Sequence, residues 1–231
     1  MALDPESQRL IDLMAAANRP AWNTLTPQAA RELYLSLRPA GQGPIPDGIA
    51  ITNRKIAGKD GNSVPVRLYR PDRLSPEAKL PGLLYAHGGG WVFGNLDSHD
   101  VLCAQLAIEA GIAVMAVDYR LAPETRFPGA FDDVVSGLQW LAANGPSVGI
   151  DPNKLAVGGD SAGGNLAAVV ALAWRDAAEP LPLRFQLLIY PAMLCFITIF
   201  FGKTHDLARG GTDAQLIGQH FKADKALDAA E

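Results

Sequence analysis

The feature that most constrains the fold of this chain is an alternation of short apolar strands and helical segments between residues 81 and 190. Helical patterns occupy residues 99–111, 131–144 and 162–176, between the apolar runs. Such an alternation is typical of a parallel sheet that is covered by helices on both faces. The strand-like runs are "GLLYA", "IAVMAV", "KLAV" and "RFQLLIY". The sequence therefore predicts an α/β fold with a mostly parallel sheet.

The segments around this alternation divide the chain into three predicted parts. Residues 1–45 carry two helical patterns and are expected to form an N-terminal cap. Residues 46–193 form the predicted α/β core, which begins with two strand-like runs joined by a "KDGN" hairpin turn. In this core, Ser98 is expected to cap the helix that follows it. Residues 194–231 show no further pair of parallel βα units, so the C-terminal strands of the sheet are expected to be missing or altered.

A candidate nucleophile lies where the "KLAV" strand meets the next helix. Residues 159–163 read Gly-Asp-Ser-Ala-Gly, which fits the Gly-x-Ser-x-Gly elbow that presents a serine between a strand and a helix. Glycines at the two outer positions allow strand and helix to approach each other closely around Ser161. The N–H of Ala162 and the positive end of the helix dipole would both face a developing oxyanion. A glycine-rich turn without chemistry is the competing interpretation of this pentapeptide.

A second glycine-rich loop follows the "GLLYA" strand and reads His87-Gly88-Gly89-Gly90. Three glycines let successive backbone N–H groups turn toward one point and supply further oxyanion donors. The loops that leave neighbouring parallel strands at their carboxyl ends meet at the same edge of a sheet. The sequence therefore predicts that this loop lies beside Ser161. Trp91 and Phe93 either line an acyl pocket or pack beneath the N-terminal helices.

Composition and spacing argue against other functions. The net charge of −4 provides no basic patch for nucleic acid. Gly158 and Gly163 have the spacing of a phosphate-binding loop, but the following lysine is missing, and no dinucleotide fingerprint is present. Cys103 and Cys195 lie in no metal-binding or redox pattern. Asp132 and Asp133 suit the first turn of a helix better than a paired-carboxylate site. We expect no metal, nucleotide or other cofactor.

Four motifs resemble the hormone-sensitive-lipase-like group of α/β-hydrolases, and they occur in that group's order. They are "HGGGW", "VDYRLAPE", "FPGAFDD" and "GDSAGG". The resemblance implies an α/β-hydrolase fold and hydrolysis of short- to medium-chain carboxylic esters through an acyl-enzyme. It implies that Ser161 is the nucleophile and that His87 orients neighbouring groups. The implied oxyanion hole consists of the N–H groups of Gly89, Gly90 and Ala162, with Gly88 adjoining.

The acidic residue and the histidine of the triad are not identifiable. In this fold they follow the serine on loops after two further strands, and only 70 residues follow Ser161. The later histidines are His205, which follows a strand-like run, and His220, which lies in a helical pattern. Without a base, the rate would fall to the roughly 10³- to 10⁴-fold over water that an oxyanion hole and binding alone supply. The alternative that His87 is the triad histidine stays open.

Two further functions remain possible on the same scaffold: a non-catalytic protein that binds small ligands, and an inactive product of truncation or frameshift after Met193. The expected partner is a small-molecule ester, with no nucleic acid. The most apolar stretch has 15 residues and contains a proline, short of the roughly 20 needed for a membrane span. The early acids at the N-terminus and the two unpaired cysteines favour the cytoplasm. A sheet that ends at "RFQLLIY" leaves an open edge for self-association.

Overall fold

The computed structural model describes residues 3–17, 19–75, 77–177 and 183–192. These residues form one six-stranded sheet with helices around it. The strands are β1 (Ile49–Ala57), β2 (Ser63–Pro71), β3 (Leu80–Ala86), β4 (Ala113–Val117), β5 (Ile150–Asp160) and β6 (Leu183–Ile189). The helices are α1 (Pro5–Ala16), α2 (Pro27–Gln42), α3 (Asp100–Ala110), α4 (Gly129–Asn144) and α5 (Ala162–Arg175).

The sheet has the strand order β1-β2-β4-β3-β5-β6. The hairpin β1–β2 is antiparallel, β2 pairs antiparallel with β4, and the remaining neighbours are parallel. The predicted hairpin turn is present, with Gly61 at a φ of +74° that a residue with a side chain rarely adopts. The prediction of a mostly parallel α/β sheet is therefore confirmed.

Helices cover both faces of the sheet because alternate strand residues point to opposite sides. Leu84, Met115 and Val157 pack on one face with buried residues of α4 and α5. Leu83 and Val114 pack on the other face with buried residues of α3. The central strands are apolar on both sides, as expected for parallel strands between two helical layers. Among the described residues, no helix combines the length and the apolar character needed to cross a bilayer.

The structure corrects the expected helix cap. Helix α3 begins at Asp100, and Ser98 lies in the short 3-10 turn before it. The Ser98 N–H donates to Asn95 Oδ1, and the Asn95 N–H donates to Ser98 Oγ, both at 2.9 Å. Because Asn95 and Ser98 satisfy each other, Ser98 stabilises the turn and does not cap the helix.

The predicted C-terminal features lie mostly outside the described residues. Strand β6 pairs with β5, and the described part of the chain places no strand on its other side. Phe185, on β6, exposes 63% of its surface. Residues 194–231, which were predicted to be a divergent tail and which include His205 and His220, lie outside the described residues.

Candidate active site

Ser161 occupies the turn between β5 and α5, where the Gly-x-Ser-x-Gly pattern predicts it. Its backbone has φ +52° and ψ −115°, a conformation that costs a non-glycine residue free energy. The Ser161 N–H donates to the Ile189 carbonyl at 2.9 Å, and its own carbonyl accepts from Asn165 N at 3.0 Å and Ala192 N at 2.9 Å. Ser161 is half-buried, whereas the next three residues are buried. Contacts from the end of β6 thus help to hold the strained turn.

The two outer glycines of the elbow are required by close backbone approach. A Cβ at Gly159 would collide with the Ala86 carbonyl and with the backbone of Gly163. A Cβ at Gly163 would collide with the Ala86 carbonyl and would lie 2.5 Å from the His87 carbonyl. The end of β3 therefore runs directly against the elbow, and no side chain fits between them.

The glycine loop 87–90 lies beside this elbow because β3 and β5 are parallel neighbours. Their register pairs Ala86 with Gly159, so the two loops leave the sheet side by side. Gly89 and Gly90 have φ values of +126° and +60°, which glycine adopts without strain. The Gly89 carbonyl accepts from the N–H groups of Val92 and Phe93 at 3.0 Å. This closed turn fixes the loop.

Gly88 differs from the other two glycines in what its N–H does. It donates to Asp160 Oδ1 at 2.9 Å, and a Cβ at Gly88 would collide with that carboxylate. The Gly88 N–H is therefore already occupied, which removes Gly88 from the set of predicted oxyanion donors. The candidate donors that remain are the N–H groups of Gly89, Gly90 and Ala162. Ala162 is the first residue of α5, where N–H groups have no acceptor within the helix.

Asp160 is a buried residue to which the motifs assign no role, although it lies inside the elbow motif. Its carboxylate accepts from Tyr85 Oη at 2.8 Å, and His99 Nε2 lies 3.2 Å from Oδ1. Tyr190 Oη lies 3.3 Å from Oδ2. Burial alone would raise the pKa of Asp160, but the hydrogen bonds and charge of His99, together with Tyr85 and Gly88, hold that pKa at about 2. Asp160 is a fixed anion beneath Ser161.

His87 is buried, and neither of its ring nitrogens has a hydrogen bond to Ser161. Its Nδ1 donates to the Gly88 carbonyl at 2.8 Å, and its ring stacks on Tyr119 with centroids 4.2 Å apart. Tyr119 Oη also donates to the His87 carbonyl at 2.7 Å. Burial, and then the charge of His99, lower the pKa of His87 to about 4, so the ring is neutral at pH 7. This geometry favours an orienting role and disfavours His87 as the triad histidine.

The described residues contain no base for Ser161. Their histidines are His87 and His99, and neither ring has a hydrogen bond with Ser161. His205 and His220 lie outside the described residues, so their positions relative to Ser161 are not part of this geometry. The described part supplies the turn and the backbone donors, but not the imidazole that would accept the serine proton.

Helix α2 and the short 3-10 turn before it, Trp22–Thr24, contact the segment that follows the glycine loop. Trp22 stacks on Phe93 with centroids 5.2 Å apart, and Tyr34 lies 4.9 Å from Phe93. In α2, Arg31 Nε donates to the Val92 carbonyl at 2.8 Å. Phe93 therefore packs beneath residues 22–34, which is the second of the two roles considered for it. Trp91 is partly buried against the core that includes α4 and α5.

Asp133, the second residue of the acidic pair at the start of α4, is structural. Asp133 is fully buried and accepts from Arg120 Nε at 2.9 Å and from Asn62 Nδ2 at 3.0 Å. These bonds tie the "DYRLAPE" turn and the β1–β2 hairpin to the helix. In the part of the chain that the structure describes, no three His, Cys, Asp or Glu side chains are grouped as a metal site.

Comparison with known proteins gives the same family as the motifs. The sequence matches the family described as the α/β hydrolase fold over residues 83–222. An ethyl acetate hydrolase of Pseudomonas putida is 42% identical over 200 residues, which cover 83% of this chain and 61% of that protein. The carboxylesterase NlhH of Mycobacterium tuberculosis is 44% identical over 146 residues, or 63% of this chain and 45% of that protein.

A solved structure agrees with the fold. The crystal structure of a serine-to-alanine variant of LAE6, an α/β hydrolase enzyme from the metagenome of Lake Arreo in Spain, is 42% identical with a TM-score of 0.78. The likeness covers 83% of this chain and 60% of that one. The chain thus spans roughly half of the length of the curated relatives that it matches, between 45% and 61% for the two above.

Proposed function

Because the chain belongs to the hormone-sensitive-lipase-like group of the α/β-hydrolase fold family, we propose that it is a serine-dependent hydrolase of short- to medium-chain carboxylic esters. The observation that carries the proposal is the strained Ser161 turn beside a glycine loop whose first amide is bound to Asp160. That arrangement leaves the next two loop amides and the first amide of α5 for a substrate oxygen.

In the proposed reaction, Ser161 Oγ attacks the acyl carbon and its proton passes to a base. The carbonyl oxygen becomes an oxyanion that accepts from the N–H groups of Gly89, Gly90 and Ala162, each worth about a hundred- to a thousandfold in rate. The tetrahedral intermediate collapses, and the alcohol leaves with the proton. Water then attacks the acyl-enzyme, which releases the carboxylic acid and restores Ser161.

The base is the open part of this mechanism. Neither His87 nor His99 has a hydrogen bond to Ser161, so His205 and His220 are the candidates within the sequence. Replacing each by alanine tests them. Replacement of the histidine that serves as the base should reduce turnover about as much as loss of Ser161 does. Replacement of the other histidine should change turnover little.

Hydrolysis of p-nitrophenyl butyrate by the wild-type chain and by Ser161→Ala tests the proposal. We expect turnover by the wild-type chain and a loss of about a millionfold in the variant if a base is present. Circular dichroism of both proteins controls for folding. Equal rates for the two folded proteins would contradict a nucleophilic role of Ser161.

A ligand-binding protein without turnover is the second candidate, and it is favoured by the absence of a base among the described residues. The non-hydrolysable p-nitrophenyl butyl ether distinguishes the two candidates. Saturable binding of the ether to a wild-type chain that does not turn over the ester would support the second candidate. Turnover that depends on Ser161 would reject it.

The predicted domain division, location and self-association are proposals as well. The contacts of Arg31 and Trp22 with the segment after the glycine loop support a cap formed by residues 1–45.

Cys103 is a buried free thiol, as expected in a reducing compartment, and cell fractionation tests the cytoplasmic location. The open side of β6 supports pairing of two copies, which light scattering after size-exclusion chromatography tests.

A further inference from the structure

His99 lies at the start of α3 with 1% of its surface exposed, and each of its ring nitrogens faces a hydrogen-bond partner. Its Nδ1 lies 2.8 Å from Ser98 Oγ. The Ser98 hydroxyl donates to the Asn95 carbonyl at 2.8 Å and accepts from the Asn95 N–H at 2.9 Å. A hydroxyl has one proton to donate, and the Asn95 carbonyl, which can only accept, needs that proton. The proton between Ser98 and His99 therefore belongs to His99 Nδ1.

The other ring nitrogen of His99 faces Asp160, at 3.2 Å from Oδ1 and 3.4 Å from Oδ2. The same carboxylate accepts from Tyr85 Oη and from the Gly88 N–H. An ionised carboxylate only accepts hydrogen bonds, so the proton of this contact lies on His99 Nε2. A His99 ring with a proton on each nitrogen, an imidazolium, satisfies both contacts together.

We propose that His99 is a positioning residue: a buried imidazolium that neutralises Asp160 and holds its carboxylate under the Gly88 amide, thereby fixing the glycine loop against the Ser161 elbow. The catalytic meaning of this role rests on the proposed function, whereas the charge state and the loop contact do not. A buried carboxylate without its cation is strongly unfavourable. Loss of His99 should therefore displace Asp160 or protonate it, and either change weakens the Gly88 hydrogen bond.

The charged groups near His99 act in opposite directions on a positive charge at its ring. Asp160 is the anion in direct contact. Arg38 opposes a second positive charge, and its Nε donates to the Ser98 carbonyl at 2.7 Å. The ring of His87 lies 5.6 Å away and is neutral, with its pKa lowered to about 4 by burial and by His99. Among the described residues, other titratable side chains near this pair are Tyr34, Tyr85, Cys103, Tyr119 and Tyr190.

Nuclear magnetic resonance of the full chain with ¹⁵N-labelled histidine tests the charge directly. At pH 7, both ring nitrogens of His99, assigned by their loss in His99→Asn, should have the shifts of protonated imidazolium nitrogens. His87 serves as the neutral reference in the same spectrum. One protonated and one unprotonated nitrogen on His99 would overturn the proposal, whether or not the chain hydrolyses esters.

Amide hydrogen exchange of Gly88 tests the positioning role. His99→Asn should accelerate Gly88 exchange at least tenfold relative to the wild-type chain. Cys103→Ala is the matched control, because it removes buried volume from the same helix without touching Asp160. An unchanged Gly88 amide in His99→Asn, or an equal effect of Cys103→Ala, would overturn the role.

A kinetic measurement extends the test if the chain turns over p-nitrophenyl butyrate. His99→Asn should lower kcat about 10- to 100-fold, with KM within twofold, because the oxyanion donors matter most in the transition state. A change in KM alone would contradict the positioning role. An inactive wild-type chain would contradict the proposed function. The tests by histidine resonance and by Gly88 hydrogen exchange would still apply to the proposed role of His99.

Discussion

The backbone N–H of Gly88 donates a hydrogen bond of 2.9 Å to Oδ1 of Asp160, two residues that are 72 positions apart in the sequence. Asp160 immediately precedes Ser161, so this single contact joins the glycine loop to the nucleophile elbow. It also explains why position 88 is a glycine, since a Cβ there would collide with the Asp160 side chain.

Asp160→Asn should be strongly destabilising. The amide has no charge to balance His99, and its NH₂ group meets a neighbour that also donates. We expect the free energy of unfolding to fall by about 3 to 5 kcal/mol, as for other buried pairs that lose one partner. Urea unfolding measures the change. Asp151→Asn, near the start of the same strand, should change little because Asp151 is more exposed and its contacts are local, with the Asn153 N–H at 3.0 Å and with Lys154 Nζ at 3.6 Å.

Gly163→Ala should disrupt the elbow, because the added methyl group would collide with the Ala86 carbonyl. Overpacking against backbone cannot be relieved by a change of rotamer, and we expect a loss of about 3 kcal/mol. Gly145→Ala is the control, since its Cβ would have no contact closer than 3.3 Å and its φ is −47°. Thermal unfolding compares the two variants, and equal losses would contradict the close approach of β3 and α5.

Ser161→Gly should be more stable than Ser161→Ala. Both variants remove the hydroxyl, but only glycine adopts φ +52° and ψ −115° without strain. Strained backbone residues cost about 1 to 3 kcal/mol, part of which the greater flexibility of unfolded glycine offsets. We therefore expect a difference of about 1 kcal/mol in urea unfolding. A more stable alanine variant would show that the turn is not strained.

His87 should make the fold sensitive to mild acid. Burial and His99 lower its pKa from 6.5 to about 4, so the folded state favours the neutral ring. Its contribution to stability is complete above about pH 6.5 and is lost as the pH falls toward 4, with about 2 kcal/mol gone by pH 5. Asp160, with its pKa at about 2, loses its contribution only below about pH 4.

Urea unfolding of the wild-type chain and of His87→Asn between pH 7 and pH 5 measures this effect. The wild-type free energy should fall faster than that of the variant. Parallel curves would mean that the His87 ring is protonated as easily in the folded state as in water.

Arg31→Ala should detach α2 from the loop that follows Gly90. The guanidinium donates to the carbonyls of Val92 and Ala122 and pairs with Glu124 at 2.6 Å. We expect faster proteolysis within residues 19–45 while the sheet stays intact. Arg9→Ala, on the exposed side of α1, should leave the cleavage rate unchanged. Equal rates for all three proteins would argue that aromatic packing alone holds the cap.

Much of the fold was predictable because it depends on local patterns. The apolar runs of β3, β4 and β5 are buried on both faces, and such runs differ visibly from the amphipathic pattern of α4. The elbow was also predictable, since a serine between two glycines at a strand-helix junction leaves few other conformations. The residue after the nucleophile and the adjacent glycine loop followed from the same motifs.

The function of the individual polar groups was harder to predict. Gly88 was expected to be near the oxyanion site, but its amide is occupied by Asp160. Ser98 was expected to cap α3, but it bonds Asn95 instead. In both cases, one polar group has two alternative hydrogen-bond partners. Which partner it binds depends on the positions of residues elsewhere in the fold.

The sequence by itself determined the order of strands and helices, the alternation that buries both faces of the sheet, and the two glycine-lined turns. These follow from side-chain size, apolar periodicity and the backbone freedom of glycine, which act over a few residues. Only the tertiary structure decided that His99 meets Asp160 across 61 positions of chain and that Asp160 holds Gly88. A buried charge takes whichever donors the packed elements bring within about 3 Å, and that distance is set by the whole sheet and its helices.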